Sequence, residues 1–237
     1  RHLVVAPKDG DATKLTLLYA EVRLGKDMKS GYPLLVVAGT EGGTIWLVLV
    51  DGSEKVGRRM LSMMGEVGAI RSDFSKGFSL NPKPLGSGSN AAVYKVQAKC
   101  PQGEGVEDLV AKIGFVRGND QQEQESIPKD VRLEVELLTE VQRHPNIVGF
   151  HGLFRHIERV EDGDEDKPQH MTRWIVTLQF CAQGDLFNLV SKAPVSEARG
   201  KEVAQGLLSA LAHVHSCGIV HRDVKAENVL LAAPEDE

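Results

Sequence analysis

The amino-acid sequence predicts an α+β fold, and three observations carry this prediction. Runs rich in β-branched and aromatic residues, which are typical of strands, recur between turns that contain glycine. Two long segments place their leucines at the spacing of amphipathic helices. The chain has 237 residues with a hydrophobic content of 41%, which is enough for one large domain or two modest ones.

The charge and cysteine content narrow the class of protein. The net charge is −5 and no long basic run occurs, which argues against a nucleic-acid-binding protein. The three cysteines, Cys100, Cys181 and Cys217, form neither a disulfide framework nor a zinc-binding pair. This pattern favours a reducing compartment, and we expect a cytoplasmic protein. The longest apolar run, residues 45–50, is too short to cross a bilayer.

Residues 1–75, the N-terminal segment, are predicted to be strand-rich and to end in a helix. "KLTLLYAEVRL" and "TIWLVLV" have the composition of strands, and Ser53 is placed to cap the helix. The apolar stripe of the helix is predicted at Val56, Met60, Met63, Met64 and Val67. The pattern resembles the closing half of a pleckstrin-homology domain, which implies contact with phosphoinositide membranes, although any small α+β module fits it equally well. Residues 71–84, "RSDFSKGFSLNPKP", contain two prolines and are predicted to be a linker.

From residue 84 onward the pattern predicts three strands, a helix, two more strands and a long helix. "PLGSGSNAAVYKVQAK" is a strand, a turn and a strand, "LVAKIGFV" is a third strand, and residues 127–144 have the leucine spacing of a helix. "NIVGFHGLFRH" and "RWIVTLQF" are two further strands, joined by an acidic segment that is predicted to be a solvated loop. The long helix is predicted to begin at the cap Ser196, to end at Gly218, and to bury Leu207, Leu208 and Leu211.

A glycine-rich turn and a strand lysine suggest binding of a phosphate. Gly86 and Gly88 lack a Cβ, so a backbone there can come close to phosphate oxygens. The β-favouring "AVYKV" that follows excludes a dinucleotide-binding βαβ unit, which needs a helix at this point. Lys112 lies in a strand and requires a carboxylate partner, for which Glu134 is better placed than Glu136 on the predicted helix.

The segment "HRDVKAEN", residues 221–228, carries the strongest chemical signal. Asp223 can accept a proton from a hydroxyl or orient that hydroxyl. Lys225 can stabilise the charge of a transferring phosphate, and the Asn228 side-chain oxygen can bind a magnesium ion. The combination predicts phosphoryl transfer.

These motifs stand in the order found in eukaryotic protein kinases, and the chain from about Leu85 onward resembles that family. The glycine turn, the strand lysine, the helix glutamate, "HPNIV" (residues 144–148) and "HRDVKAEN" all match. The resemblance implies a protein-kinase-like small lobe, with an antiparallel sheet and one helix, and then the start of the helical large lobe. It divides the chain into the N-terminal segment 1–75, the small lobe and hinge 76–182, and the large-lobe start 183–237.

The resemblance also implies which residues bind ATP. The glycine turn would cover the nucleotide with Leu85, Gly86 and Gly88, and the adenine would be enclosed by Val93, Ala111 and Leu230. Lys112, braced by Glu134, would hold the α- and β-phosphates. Leu178 occupies the gatekeeper position, so the hinge would bind adenine through the backbone of Gln179 and Cys181. Asp185 would contact the ribose or a basic substrate residue.

For catalysis, the resemblance implies that Asp223 is the base, Lys225 the phosphate partner and Asn228 a magnesium ligand. Leu138, Phe150 and His221 would belong to the stack of residues that links the two lobes. After "NVLL" the family continues to an Asp-Phe-Gly motif, whereas this sequence continues with "AAPEDE" and ends. We therefore expect a piece of a longer product that does not transfer phosphate by itself.

The predicted function is that of a protein serine/threonine kinase that uses ATP and Mg²⁺ and acts on protein hydroxyls. Lys225 favours serine and threonine substrates, because most tyrosine kinases have alanine there. The alternative is a pseudokinase or membrane-docking scaffold without catalysis. Lys112, Glu134, Asp223 and Asn228 are all retained, which favours the enzyme.

Overall fold

The computed structural model describes residues 2–5, 12–50, 53–88, 90–99, 108–114, 126–160 and 169–232. The chain forms two compact units. The first contains Arg1–Thr139 and Phe150–Leu178, and the second contains Glu140–Gly149 and Gln179–Glu237. Residues 161–168 of the predicted acidic loop, Ser89 of the glycine turn, and Cys100 lie outside the described residues.

One large sheet forms the centre of the first unit. Its strands are β3 (Glu21–Lys26), β4 (Pro33–Ala38), β5 (Thr44–Val48), β6 (Ile70–Arg71), β7 (Phe78–Ser87), β8 (Ala91–Ala98), β9 (Leu109–Gly114), β10 (Phe150–Val160) and β11 (Gln169–Gln179). Within the described residues, these nine strands lie in the order β5-β4-β3-β6-β10-β11-β9-β8-β7. A separate two-stranded sheet pairs β1 (His2–Val5) with β2 (Thr13–Thr16). The α+β fold predicted from the sequence is confirmed.

The short strand β6 joins the strands of the N-terminal segment to those that follow. Arg71 on β6 lies opposite Val22 on β3 and opposite Phe154 on β10, and both pairings are parallel. The strands between residues 21 and 71 therefore extend the same sheet that carries the glycine turn. The division of the chain at residue 75, the likeness to a pleckstrin-homology domain and the phosphoinositide contact stay predictions.

The linker predicted at residues 71–84 is wrong. These residues form the end of β6, the short helix α2 (Phe74–Gly77) and most of β7. Phe74 is 3% exposed, and its ring centroid lies 5.5 Å from that of Phe78 and 5.3 Å from that of Phe154. The Arg71 guanidinium donates two hydrogen bonds, of 3.0 and 2.9 Å, to the Asp73 carboxylate. The two prolines are compatible with a strand here because β7 is the last strand in the sheet order.

Helix α1 (Glu54–Gly65) has the predicted cap, and Met60, Met64 and Val67 of the predicted stripe lie in or against the core. The Ser53 Oγ accepts a hydrogen bond from the Val56 N–H at 3.4 Å. The residues buried by this helix are Gly57, Leu61, Met64 and Gly65, whereas Val56 and Met63 are exposed, so the predicted stripe is wrong at those two positions. Gly57 sets the contact face, because a Cβ there would lie 2.7 Å from the Leu24 Cδ1.

Helix α3 (Lys129–Val141) packs on the sheet through a buried apolar cluster. The helix contributes Val131 and Val135, and strands β10 and β11 contribute Phe150, Leu153, Trp174 and Val176. Tyr19 and Ile70, both from the N-terminal segment, are members of the same cluster. The helix predicted over residues 127–144 is therefore present, and it is held in part by residues that precede the glycine turn.

The second unit contains helix α4 (Leu186–Lys192) and the long helix α5 (Glu197–Ser216). The Ser196 Oγ accepts from the Arg199 N–H at 3.2 Å, and Gly218, at φ +74°, follows the helix end, as predicted. Leu207 and Leu211 are partly buried, whereas Leu208 is 65% exposed. The prediction is wrong for Leu208, because one residue along a helix turns the side chain by about 100° away from Leu207.

No helix in the described part of the chain combines the length and the apolar character needed to span a membrane.

Candidate active site

Lys112 on β9 and Glu134 on α3 form the ion pair that the sequence predicts. The Lys112 Nζ lies 2.6 Å from the Glu134 Oε1, and the two side chains are 37% and 28% exposed. Glu136, the other carboxylate considered for this partner, accepts instead from the Tyr19 hydroxyl at 3.1 Å. The ammonium carries three donors, so a partly exposed Lys112 held by Glu134 can still donate to a phosphate oxygen.

Three of the predicted nucleotide-binding residues form one row across neighbouring strands. Gly86 on β7 lies opposite Val93 on β8, and Val93 lies opposite Lys112 on β9. Residues directly opposite each other on antiparallel strands point to the same face of a sheet. Gly86, Val93 and Lys112 therefore share one face, and we call them the nucleotide row. Leu85, next to Gly86, is largely exposed.

Ala111 does not fit the adenine contact predicted for it. It precedes Lys112 on β9, and successive strand residues point to opposite faces, so it cannot share the face of Lys112 and Val93. It is fully buried, with 0% exposure, in a cluster with Phe74, Val96, Ile113, Phe154 and Ile175. The residue of β9 that shares the face of Lys112 is Val110, two positions earlier. Strand alternation around "LVAK" is the signal in the sequence that could have identified Val110, which the sequence analysis did not name.

Neither glycine of the turn is needed for the fold. Neither Gly86 nor Gly88 has a positive φ, so an L-residue could adopt the backbone conformation at each of these positions. Among the described residues, a Cβ on Gly86 would meet no heavy atom within 4 Å, and one on Gly88 would meet only the Ala91 carbonyl oxygen, at 3.9 Å. The Gly88 N–H donates to that oxygen at 2.9 Å and closes the turn. The space beside both glycines is therefore open to a ligand.

The predicted hinge residues have defined backbone partners within the second unit. The Gln179 N–H donates to the Gly149 carbonyl at 2.8 Å, and the Gln179 Oε1 accepts from the Gly149 N–H at 3.3 Å. Gln179 can therefore offer a ligand its backbone carbonyl but not its N–H. The Cys181 carbonyl accepts from the Gly184 N–H at 3.2 Å, and burial raises the pKa of the Cys181 thiol.

Asp185 and Leu230, which lie 45 positions apart in the printed sequence, meet in an isolated antiparallel bridge. The Asp185 carboxylate caps α4, where it accepts from the Asn188 N–H at 2.7 Å and from the Asn188 Nδ2 at 2.6 Å. The backbone hydrogen bond from Asn188 is the main reason that the pKa of Asp185 is lowered. Leu230 is half-exposed. Asp185 therefore has a structural role besides the ligand contact predicted for it.

Asp223, Lys225 and Asn228 come together in one loop of the second unit. The Asp223 Oδ2 accepts from the Lys225 Nζ at 3.0 Å and from the Asn228 Nδ2 at 2.8 Å. The Asn228 Nδ2 also donates to the Asp223 backbone carbonyl at 2.8 Å. A 3-10 turn, Ala226–Asn228, places the Asn228 amide beside Asp223. The side chains of Asp223, Lys225 and Asn228 are all exposed. One short loop thus joins the predicted base, phosphate partner and metal ligand.

The charges in this loop stabilise each other. The hydrogen bond from Lys225, followed by that from Asn228, holds the pKa of Asp223 below its usual value. The same bond to Asp223 raises the pKa of Lys225. At neutral pH Asp223 is therefore a carboxylate and Lys225 an ammonium, which are the states needed for a proton acceptor beside a cation.

Three residues were predicted to link the lobes. Phe150 is 2% exposed and belongs to the cluster around α3, against which Leu138 and the gatekeeper Leu178 pack. His221 lies in the second unit, where its Nδ1 accepts from the Asp223 N–H at 3.3 Å.

Sequence reasoning assigned no role to Tyr19, whose contacts with α3 join residues more than a hundred positions apart.

Comparison with known proteins places these residues in a family. The profile described as "Protein kinase domain" matches residues 81–236. Calcium-dependent protein kinase 12 of Oryza sativa subsp. japonica is 30% identical over 156 residues, which cover 65% of this chain and 25% of that protein. A probable myosin light chain kinase of Dictyostelium discoideum is 28% identical over 155 residues, which cover 65% of this chain and 41% of that protein.

Calcium-dependent protein kinase 29 of Arabidopsis thaliana is similar to the same extent, at 29% identity over 157 residues, or 65% of this chain and 25% of that protein. The aligned part of the chain thus spans between a quarter and two-fifths of the length of these relatives. The profile match begins in β7, contains the nucleotide row, Glu134 and the loop of Asp223, and covers more than half of the chain. The chain belongs to the protein kinase domain family.

Proposed function

We propose that the full-length protein is a serine/threonine kinase that transfers the γ-phosphate of ATP to protein hydroxyls. The observation that carries the proposal is the 2.6 Å ion pair between Lys112 and Glu134, with Lys112 in the same row as Gly86 and Val93. A cation fixed beside a glycine turn is an arrangement suited to phosphate binding. Membership of the protein kinase domain family supports ATP as the source of that phosphate.

The nucleotide would be bound by residues of several elements. Lys112 would donate to the α- and β-phosphates, and the backbone at Gly86 and Gly88 would approach the phosphates from the turn. Val93 would contact the adenine, and Val110 replaces Ala111 in this proposal because it shares the face of Lys112. The hinge would offer the Gln179 carbonyl and the Cys181 N–H, with Leu230 and Asp185 as further contacts.

The loop of Asp223 would act on the acceptor hydroxyl. Asp223 would accept a hydrogen bond from the substrate hydroxyl, orient that hydroxyl toward the γ-phosphate and take up the hydroxyl proton. Lys225, 3.0 Å from Asp223, would stabilise the negative charge of the transferring phosphate. Because Lys225 stands where most tyrosine kinases have alanine, we propose that the substrates are proteins with serine or threonine at the reacting position.

Asn228 has the chemistry expected of a magnesium ligand. Its Nδ2 is directed to Asp223, so the Oδ1 is the side-chain atom that remains as an acceptor. Mg²⁺ prefers oxygen ligands, and the exposed Asn228 would supply one. When bound, Mg²⁺ neutralises charge on the phosphates of ATP.

A cytoplasmic location is also part of the proposal, and it rests on the three scattered cysteines.

The test is an assay of phosphate transfer from ATP to peptides that differ only in carrying serine, threonine or tyrosine. In the full-length protein, Asp223→Asn should lower turnover by about 10²–10⁴-fold because the proton acceptor is lost. The matched control is Asp27→Asn, which changes another exposed aspartate that accepts hydrogen bonds within its loop, from Ser30. It should leave turnover unchanged.

Transfer to the serine and threonine peptides, lost only in Asp223→Asn, would support the proposal. A wild-type protein that binds ATP but transfers no phosphate to any peptide would instead support the pseudokinase alternative. Preference for the tyrosine peptide would contradict the assignment of Lys225.

A further inference from the structure

We propose that Tyr19 is a positioning residue for the Lys112–Glu134 ion pair, and that through it the N-terminal segment keeps helix α3 in the orientation that phosphate transfer requires. The inference rests on the proposed function, since it concerns the same site. It goes beyond that function because it assigns a task to a segment that precedes the residues matched by the family profile, 81–236.

Tyr19 contacts α3 in three ways. Its hydroxyl donates to the Arg132 carbonyl at 2.8 Å and lies 3.1 Å from the Glu136 Oε1. The Arg132 guanidinium stacks over the Tyr19 ring, with its carbon 4.7 Å from the ring centroid. Tyr19 is 8% exposed and belongs to the cluster that includes Val131 and Val135 of α3. The helix is therefore held by a hydrogen bond to its backbone as well as by side-chain contacts.

The N-terminal segment fixes Tyr19 in turn. Tyr19 lies in the turn before β3 at φ +61°, and its N–H donates to the Gly68 carbonyl at 2.9 Å. Gly68 has φ +91°, and a Cβ there would lie 2.5 Å from the Leu18 Cδ1 and 3.5 Å from the Thr139 Cγ2 on α3. Two loops of the segment, around residues 19 and 68, thus meet each other and the helix.

The geometry of the helix explains how this contact can act on Glu134. Arg132 and Glu136 are four residues apart and lie on one side of α3. Glu134 lies two residues from each, and two residues turn a helix by about 200°, so Glu134 points to the opposite side. Tyr19 therefore holds the side of α3 that faces away from Lys112. A rotation of the helix that withdraws Glu134 from Lys112 would also move Arg132 and Glu136 away from the Tyr19 hydroxyl.

The sheet gives both contacts a common support. Lys112 stands on β9, and Tyr19 precedes β3, which joins the same sheet through β6 and β10. The helix is therefore held between two points of one hydrogen-bonded framework. The simpler view is that Tyr19 only fills the core, and it predicts that loss of the hydroxyl changes stability alone.

Tyr19→Phe separates these views because it removes the hydroxyl and keeps the ring. The measured quantities are kcat and KM for ATP of the full-length wild type, Tyr19→Phe, Glu134→Gln and the double variant. Tyr32→Phe is the control, since Tyr32 is an exposed tyrosine of the same segment. We expect Tyr19→Phe to lower kcat/KM for ATP by roughly five- to tenfold, the usual effect of one lost hydrogen bond, and Tyr32→Phe to have no effect.

The double variant decides whether Tyr19 acts through Glu134. If it does, Tyr19→Phe costs nothing further once Glu134→Gln has broken the ion pair. An unchanged kcat/KM in Tyr19→Phe, or an equal loss in both backgrounds, would overturn the proposal. Glu136→Ala is a second variant, should Tyr19→Phe fold poorly, because it removes one of the two acceptors near the same hydroxyl. It should lower kcat/KM for ATP by a smaller factor, since the hydrogen bond to the Arg132 carbonyl remains, and this loss should also disappear in the Glu134→Gln background.

Amide hydrogen exchange gives an independent measurement. Residues 129–141 should exchange faster in Tyr19→Phe than in Tyr32→Phe, and equal exchange would count against the proposal. If the wild type transfers no phosphate, the proposed function fails, and the dissociation constants of ATP for the same four proteins take the place of kcat/KM. The inference then stands or falls on whether those constants show the same coupling between Tyr19 and Glu134.

Discussion

Val93 on β8 lies directly opposite Lys112 on β9, so the side chain predicted to contact adenine and the ammonium predicted to hold phosphate share one face of the sheet. Gly86 continues this row on β7. The opposite face of the same strands is closed by the cluster of Ala111, Ile113 and Phe154. The two faces thus differ in their chemistry, and each can be tested by substitutions that leave the other unchanged.

Substitution of two glycines should separate ligand binding from folding. Gly86→Ala places a Cβ in open space at a backbone conformation that alanine adopts, so the melting temperature should stay unchanged while KM for ATP rises. Gly68→Ala is the matched change, and it should lower the melting temperature for two reasons. Residue 68 has φ +91°, which alanine rarely adopts, and the new Cβ would lie 2.5 Å from the Leu18 Cδ1. Calorimetry and steady-state kinetics would measure both effects. Equal ATP kinetics in wild type and Gly86→Ala would contradict the assignment.

Ala111→Leu should act on stability and not on the nucleotide. Ala111 is fully buried, and overpacking a closed core usually lowers the free energy of unfolding by about 1–3 kcal/mol. Val93→Ala, on the other face, should raise KM for ATP by up to roughly tenfold, since two methyl groups are lost from the contact. Urea unfolding and kinetics on both variants provide the measurement. A large rise of KM in Ala111→Leu with unchanged stability would restore the original adenine role of Ala111.

The Asp223 carboxyl should titrate at a lower pH than an isolated aspartate. Lys225 is the largest cause of this lowered pKa, so Lys225→Met should move the titration midpoint of Asp223 to higher pH. Lys201→Met is the control, because Lys201 is paired with Glu197 at 2.8 Å and not with Asp223. Carbon-13 NMR of labelled aspartate gives the midpoints directly.

The direction in which stability changes with pH follows from the lowered pKa of Asp223. A lowered pKa in the folded protein means that the charged form persists to lower pH, and the stabilisation from its pairing is lost as the pH falls through that pKa. High salt should reduce the difference between wild type and Lys225→Met, since both side chains are exposed. Identical midpoints in the two proteins would show that the 3.0 Å pair does not persist in solution.

Phe74→Ala should lower the free energy of unfolding by about 3–5 kcal/mol, as expected for a buried aromatic side chain. Phe74 is 3% exposed and packs against Phe78 and Phe154, whereas a phenylalanine in a linker would contribute little. Phe187→Ala, at a half-exposed phenylalanine, should cost much less. Chemical denaturation of the two variants is the measurement, and equal losses would return residues 71–84 to the status of a linker.

The parts of the fold that local sequence determines were predictable. Ser53 and Ser196 cap helices where expected, and the turn at Gly86 joins two strands, because caps and turns depend on residues only a few positions apart. The loop of Asp223 and Asn228 was also predictable, since its hydrogen bonds span five positions.

Contacts between distant residues explain what was missed. Residues 71–84 look like a linker by composition, yet Arg71 pairs with Asp73 while Phe74 packs against Phe154, which is 80 positions away. Val56 and Met63 fit the periodicity of α1, but the close approach of Gly57 to Leu24 centres the buried face on Gly57, Leu61 and Met64 and leaves those two residues exposed. The contacts of Tyr19 with Arg132 and Glu136 join residues more than a hundred positions apart, and no local pattern marks them.

The most direct test of kinase activity is phosphate transfer by the full-length protein carrying Lys112→Met. Loss of the ammonium that Glu134 holds at 2.6 Å should reduce turnover by about 10²-fold or more while the melting temperature changes little. Lys26→Met, at an exposed lysine on β3, is the matched control and should retain wild-type turnover. A Lys112→Met protein that turns over as fast as Lys26→Met would contradict the phosphate-binding role of Lys112 and, with it, the proposed active site.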